Sequence, residues 1–185
     1  MKKELRRQFM HYFFGCITII ILGLIGTANF FLLNILILLA GCILSLQIKK
    51  GFNPPIIKNF LGYAGRNREK ELPGKGAITF FIGTLAATIL FYNNLLFVIG
   101  AIIPLVFGDS FSTITGKLVG KIKIMDKTLE GSLAGILASF IYLSILFPFS
   151  TAFIAATAGM AMEYLPIEDN YTIPIATGIT LMLLA

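Results

Sequence analysis

Residues 108–132, GDSFSTITGKLVGKIKIMDKTLEGS, decide how this chain is read. Long apolar runs flank the stretch on both sides, so Asp109 stands at the end of a run apolar enough to cross a membrane. A carboxylate there is costly and marks function by default. Lys117, Lys121, Lys123 and Lys127 follow, with Glu130 close behind. Cations and acids interleaved at the edge of an apolar run point to chemistry on something heavily anionic. A nucleotide carrying a divalent metal fits that description.

The rest of the chain sets the environment. It has 185 residues, of which 57% are hydrophobic and 13% charged, with a mean hydropathy of +0.88. A soluble domain carries about 25% charged residues. The composition therefore reads as one integral membrane domain over 1–185. Apolar runs fall near 9–26, 30–47, 77–92, 95–113, 132–149, 151–165 and 171–185. A crossing takes about 20 residues, and the third, sixth and seventh runs are short for it. The expectation is an all-α, polytopic bundle of about seven transmembrane helices. The first run follows a basic N-terminus without a small-x-small cleavage site, so it reads as a retained helix. Cys16 and Cys42 lie inside apolar runs and form neither a disulfide nor a metal pattern.

Charge gives the orientation. All 15 Lys and Arg fall within residues 2–7, 49–75 and 117–127. With seven crossings these segments share one side, which the positive-inside rule makes the cytoplasm. The N-terminus and the loops at 48–76 and 114–131 are then cytoplasmic, and the C-terminus is outside. The nine carboxylates and His11 fall on the inner side or at its boundary. The expected place is the cell membrane, multi-pass, with an active site facing the cytoplasm. The net charge of +6 follows from topology and also suits anionic headgroups. Nucleic acid is not an expected partner, because no soluble domain presents the basic residues. No internal repeat of the transporter kind is evident.

Within the central stretch, a helix continuing past Phe107 places Asp109, Thr113, Gly116 and Gly120 on one face, with Lys117 beside them. The two glycines admit a ligand or a second helix equally well. Residues 120–126 read as an extended or hairpin-like excursion. Thr128 then suits an N-cap, and Glu130 falls in the first helical turn. The start of that helix, with Lys127, Gly131 and Ser132, offers N–H and hydroxyl groups to phosphate. No GxxxxGK[ST] loop, protein-kinase set, HExxH, GxSxG or CxxC pair is present. In 51–76, Pro54-Pro55 precedes an apolar stripe of Ile56, Ile57, Phe60 and Leu61, read as an interfacial helix.

The run from Gly108 to Gly135 resembles the signature of the CTP-dependent polyprenol kinase family, which holds dolichol kinase, phytol kinase and the CTP-using diacylglycerol kinase of fungi. The shared pattern is Asp109, a Gly-Lys at 116–117 and 120–121, and Lys127-Thr128-Leu129-Glu130-Gly131. Glu4-Leu-Arg-Arg7 with His11 resembles the family's N-terminal stretch, and Glu163, Asp169-Asn170 and Pro174 its C-terminal one. Arg68-Glu-Lys-Glu71 with Gly74 resembles a further stretch. The resemblance implies transfer of the γ-phosphate of CTP to a lipid alcohol: a polyprenol, a phytol-like isoprenoid or diacylglycerol. It implies that Asp109 and Glu130 hold a divalent metal, Mg²⁺ by preference. Gly116, Lys117, Gly120, Lys121, Thr128, Gly131 and Ser132 then meet the nucleotide, and Lys127 neutralises phosphate. Asp169 or Glu163 supplies a second metal ligand or takes the alcohol proton, for which His11 is also a candidate. His11 reads equally as a structural group. A CDP-lipid synthase of related architecture is the alternative, although its Lys-Asp, His-Gly-Gly and Asp-Arg pattern is missing. A small transporter is the second alternative. A homodimer stays open.

Overall fold

The computed structural model of the protein describes residues 2–52 and 73–185. The described residues are almost wholly helical: α1 (Lys2–Lys49), α2 (Lys75–Leu90), α3 (Leu95–Ile103), a π-helical turn (Pro104–Gly108), α4 (Asp109–Leu118), strands β1 (Lys123–Ile124) and β2 (Lys127–Thr128), α5 (Leu129–Leu143), α6 (Phe149–Ala161), a 3₁₀ turn (Met162–Tyr164) and α7 (Asp169–Leu184). The helical class is as expected. The interfacial stripe Ile56–Leu61 and most of the loop 48–76 lie outside the described residues.

α1 contains two of the apolar runs, joined at Gly26, whose φ of 76° and ψ of 171° are not helical. Only glycine adopts that backbone region at little cost. The contacts show that the chain reverses there. His11 packs edge-on to Phe80, with ring centroids 5.1 Å apart, and further along the same α1 the Asn34 amide bonds Thr84 at 2.8 Å. Gly41 then returns to Ile78, near the start of α2, while Phe31 meets Tyr92 just beyond its end. The second half of α1 therefore runs antiparallel to α2, and both ends of α1 lie beside the start of α2.

Later elements keep the alternation. Thr151, early in α6, bonds the Leu184 carbonyl at the end of α7, while Lys75 at the start of α2 pairs with Glu168 just before α7. Glu4 and Lys117 meet at the same end as Lys75, Lys127 and Glu168. Ionisable groups thus gather at one end of the bundle, and the Gly26, Asn93-Asn94 and Pro148 turns stand at the other.

By length and composition two helices suffice to cross a membrane: Glu4–Lys49, and Leu95–Leu118 continuous through the π-turn. The other four, of 16, 15, 13 and 16 residues, are shorter than the seven-crossing expectation required. At 1.5 Å per residue they reach about 20–24 Å.

The bundle has an apolar core around Leu22, Phe30, Ile102, Leu105 and Leu143, and its outer surface is apolar as well. Asn34, Thr84, Ser110, Ser139 and Thr177 are fully buried, while Leu24 is 80% and Leu183 76% exposed. Small hydroxyl residues let backbones approach and bond back to their own helix, as Ser139 does to the Gly135 carbonyl.

Replacing Gly26 by valine is expected to cost about 1–3 kcal/mol through forbidden backbone, read as a lower thermal midpoint of the purified protein. Gly23→Ala, with nothing within 4 Å of the added carbon, leaves the midpoint nearly unchanged.

Candidate functional site

The site forms where the π-turn, the β-hairpin, the 3₁₀ turn and the start of α7 meet. Pro104 opens the π-turn, and a helix widened in this way re-aims the residues that follow. The first of these is Asp109. Gly108 ahead of it lies against Met160 and Ser139, so no side chain fits at that position. His11 reaches across from α1, with Nε2 3.1 Å from the Leu105 carbonyl and 3.9 Å from Asp109 Oδ2. A carbonyl can only accept, so Nε2 carries the proton and donates it. That nitrogen holds the π-turn, which gives His11 a positioning role beside Asp109.

Asp109, Glu163 and Asp169 each offer a carboxylate oxygen within 4.8 Å of the others. Lys127 enters this cluster from β2. Its Nζ donates to Asp169 Oδ2 at 3.0 Å and lies 3.3 Å from Glu163 Oε1. Glu163 is 4% exposed. The Ser112 hydroxyl donates to its Oε2 at 2.9 Å, whereas its buried Oε1 accepts no hydrogen bond from the described residues. The Lys127 ammonium faces that oxygen without the alignment of a donor.

Burial pushes the Glu163 carboxyl up to about 7; Lys127 and the Ser112 hydroxyl oppose the rise, and Asp109 adds to it. Burial alone would lower the Lys127 ammonium, but the negative charges of Glu163, Asp109 and Asp169 outweigh it and leave its pKa raised. An open cleft lined by Lys127, Glu163, Tyr164 and Leu165 adjoins the cluster.

The expected helix entry is present. Thr128 caps α5, accepting from Gly131 N–H at 3.2 Å, and residues 123–128 form a two-stranded hairpin. Its turn residue Met125 has φ 54°.

Several expected site residues are placed elsewhere. Glu130 does not join Asp109 as a metal ligand: its carboxylate accepts from the Ile122 N–H at 3.3 Å through both oxygens, closing the hairpin. Gly116, Gly120 and Gly131 serve close helix approach. A Cβ on Gly116 would stand 2.8 Å from Thr128 Oγ1, and one on Gly131 2.7 Å from the Ser112 carbonyl. Ser132 is buried and shares a 2.7 Å hydrogen bond with the Tyr164 hydroxyl. Lys117 pairs with Glu4 at 3.1 Å, and Glu4 also takes Arg7 at 2.5 Å. Lys121 is exposed beside the hairpin mouth.

Asp109, Lys127 and Asp169 are thus brought together as expected, with Glu163 in the place assigned to Glu130. Ser112 was missed, although its spacing of three from Asp109 puts it on the same helical face. The donor set fits a hard divalent cation. It consists of carboxylate oxygens only, and one of them is a buried acceptor without a hydrogen bond.

No family model matches the chain, and no solved structure matches it. It is similar to the "Uncharacterized protein MJ1137" of Methanocaldococcus jannaschii, at 32% identity over 180 residues covering 93% of this chain and 89% of that protein. The chain belongs to the same family as that protein.

The ion pair makes a stability prediction. Lys127→Met leaves three carboxylates facing one another and is expected to cost about 3–5 kcal/mol. Adding Glu163→Gln should recover at least half of that loss. A double-mutant cycle on thermal midpoints measures the coupling, and additive losses would show that the pair contributes nothing.

Proposed function

We propose that this chain is a multi-pass membrane lipid kinase that transfers the γ-phosphate of CTP to a lipid alcohol at the cytoplasmic face of the cell membrane. The observation that carries the reading is the meeting of Asp109, Glu163 and Asp169 with Lys127. Three acids and one lysine suit a metal-bound triphosphate, because phosphoryl transfer needs positioning and charge neutralisation rather than covalent catalysis. The choice of CTP and of a lipid alcohol rests on the Asp109, Gly116-Lys117 and Lys127-Thr128-Leu129-Glu130-Gly131 resemblance.

The membrane setting rests on large apolar side chains turned outward on every helix and on the collection of charge at one end. Among the described residues seven helical rods, counting the halves of α1 separately, alternate in direction. The four short ones cross a locally thin or tilted section. The charged end is then cytoplasmic by the positive-inside rule.

Asp109 and Glu163 would hold Mg²⁺. The metal supplies neutralisation of charge on the β- and γ-phosphates. Asp169, with the most exposed side chain of the three acids, accepts the proton of the lipid hydroxyl. The hydroxyl oxygen attacks the γ-phosphorus, the bond from that phosphorus to the β–γ bridging oxygen breaks, and CDP departs with the electron pair. Lys127 neutralises the transferred group. His11 keeps the π-turn, and with it Asp109, in place.

Purified protein incubated with each nucleoside triphosphate and each candidate alcohol, with products identified by mass, tests the reading. CDP and a phosphorylated lipid are expected. Pyrophosphate with a CMP-bearing lipid would make the protein a synthase, and solute flux into liposomes without nucleotide turnover would make it a transporter. Asp109→Asn should lower transfer by roughly a hundredfold or more while insertion is unchanged. A C-terminal tag should react with an impermeant reagent added outside intact cells.

A further inference from the structure

Lys127 occupies the carboxylate cluster that a metal would need. Its ammonium is 3.0 Å from Asp169 Oδ2 and 3.3 Å from Glu163 Oε1, and the acid oxygens are confined within 4.8 Å of one another. A cation held by these oxygens at about 2.0–2.1 Å would lie almost in contact with the ammonium, and like charges so close repel strongly. The contact with Glu163 is also incomplete, because the buried Oε1 accepts no hydrogen bond from Lys127 or from any other described group. Lysine is a point charge on a four-carbon stem that turns without moving its backbone. Here the stem springs from a two-residue strand beside the open cleft.

We propose that Lys127 and the divalent metal exchange places. Lys127 holds the three carboxylates together before the metal enters. Metal entry expels the ammonium into the cleft, where it takes a γ-phosphate oxygen of the nucleotide. The same movement releases Asp169 Oδ2, the oxygen that accepts the hydroxyl proton. Metal entry, phosphate capture and exposure of the base are thereby one event. The exchange itself is independent of the reaction; its phosphate half rests on the kinase reading.

Two measurements without turnover test it. Mn²⁺ binding followed by electron paramagnetic resonance, with no nucleotide, should be roughly tenfold tighter in Lys127→Gln than in the wild type, because a competing positive charge is gone. Equal or weaker binding by folded Lys127→Gln overturns the exchange. The second measurement uses the wild type alone and so stands even where that variant fails to fold. Acylation of Lys127 by an amine reagent, quantified by peptide mass spectrometry against the exposed Lys123, should be several-fold faster in saturating Mg²⁺. An unchanged or slower rate overturns the proposal. Adding β,γ-methylene CTP with Mg²⁺ should slow Lys127 again, and a rate that stays fast removes the phosphate half. A protein that shows the metal-dependent acylation but phosphorylates no lipid would refute the kinase reading and leave the exchange standing.

Discussion

One ammonium among three carboxylates ties four separate parts of the chain together. Asp109 begins α4, Lys127 lies on β2, Glu163 is in the 3₁₀ turn after α6, and Asp169 begins α7. The acids alone would repel, most strongly around Glu163, whose side chain has no exposure to water. Lys127 reverses the sign of that interaction, against its own desolvation. Packing brings these chain segments together, and Lys127 makes their meeting tolerable, so the cluster is a structural knot.

That convergence needs room, and small residues supply it. Gly108 admits Met160 and Ser139, and Gly131 lets α5 lie against the Ser112 carbonyl. Ser112 is held at the right height to bond Glu163. At the start of α7, Asn170 bonds Thr79 at 2.6 Å while Glu168 takes Lys75 at 2.6 Å, so both neighbours of Asp169 are gripped by α2. Glycine and hydroxyl residues carry the geometry here, and charge carries the chemistry.

Local features of the site are legible in the sequence because they are set by near neighbours. Thr128 as a cap follows from its position ahead of an apolar run, and residues 120–126 read as an extended or hairpin-like excursion. Asp109 stands out because a carboxylate at the end of an apolar run is too expensive to keep without a use. Glu130 as a metal ligand is implied by the family resemblance alone, whereas the hairpin returns the Ile122 N–H, eight residues away, to its carboxylate. The acid that fills the place comes from a turn more than 50 residues beyond Asp109, and only the packing of α6 and α7 on the rest brings it in. The glycines divide the same way: spacing puts Gly116 and Gly120 on one face, but only the neighbouring Thr128 decides that the face meets protein.

The location of the cluster at one end of a bundle with an apolar exterior limits the chemistry it can serve. A triphosphate cannot be carried into hydrocarbon, because each unpaired charge moved there is prohibitively expensive. A lipid hydroxyl can rise to the boundary with its chain left behind among apolar side chains such as those turned outward on these helices. The only depth at which both partners meet is the edge where the apolar surface gives way to the charged end. Lys127 precedes α5, Glu163 follows α6 and Asp169 begins α7, whereas Asp109 lies within the continuous helix Leu95–Leu118, nine residues before its end. A reaction joining a charged donor to a greasy acceptor would thus use the boundary itself as its means of bringing them together.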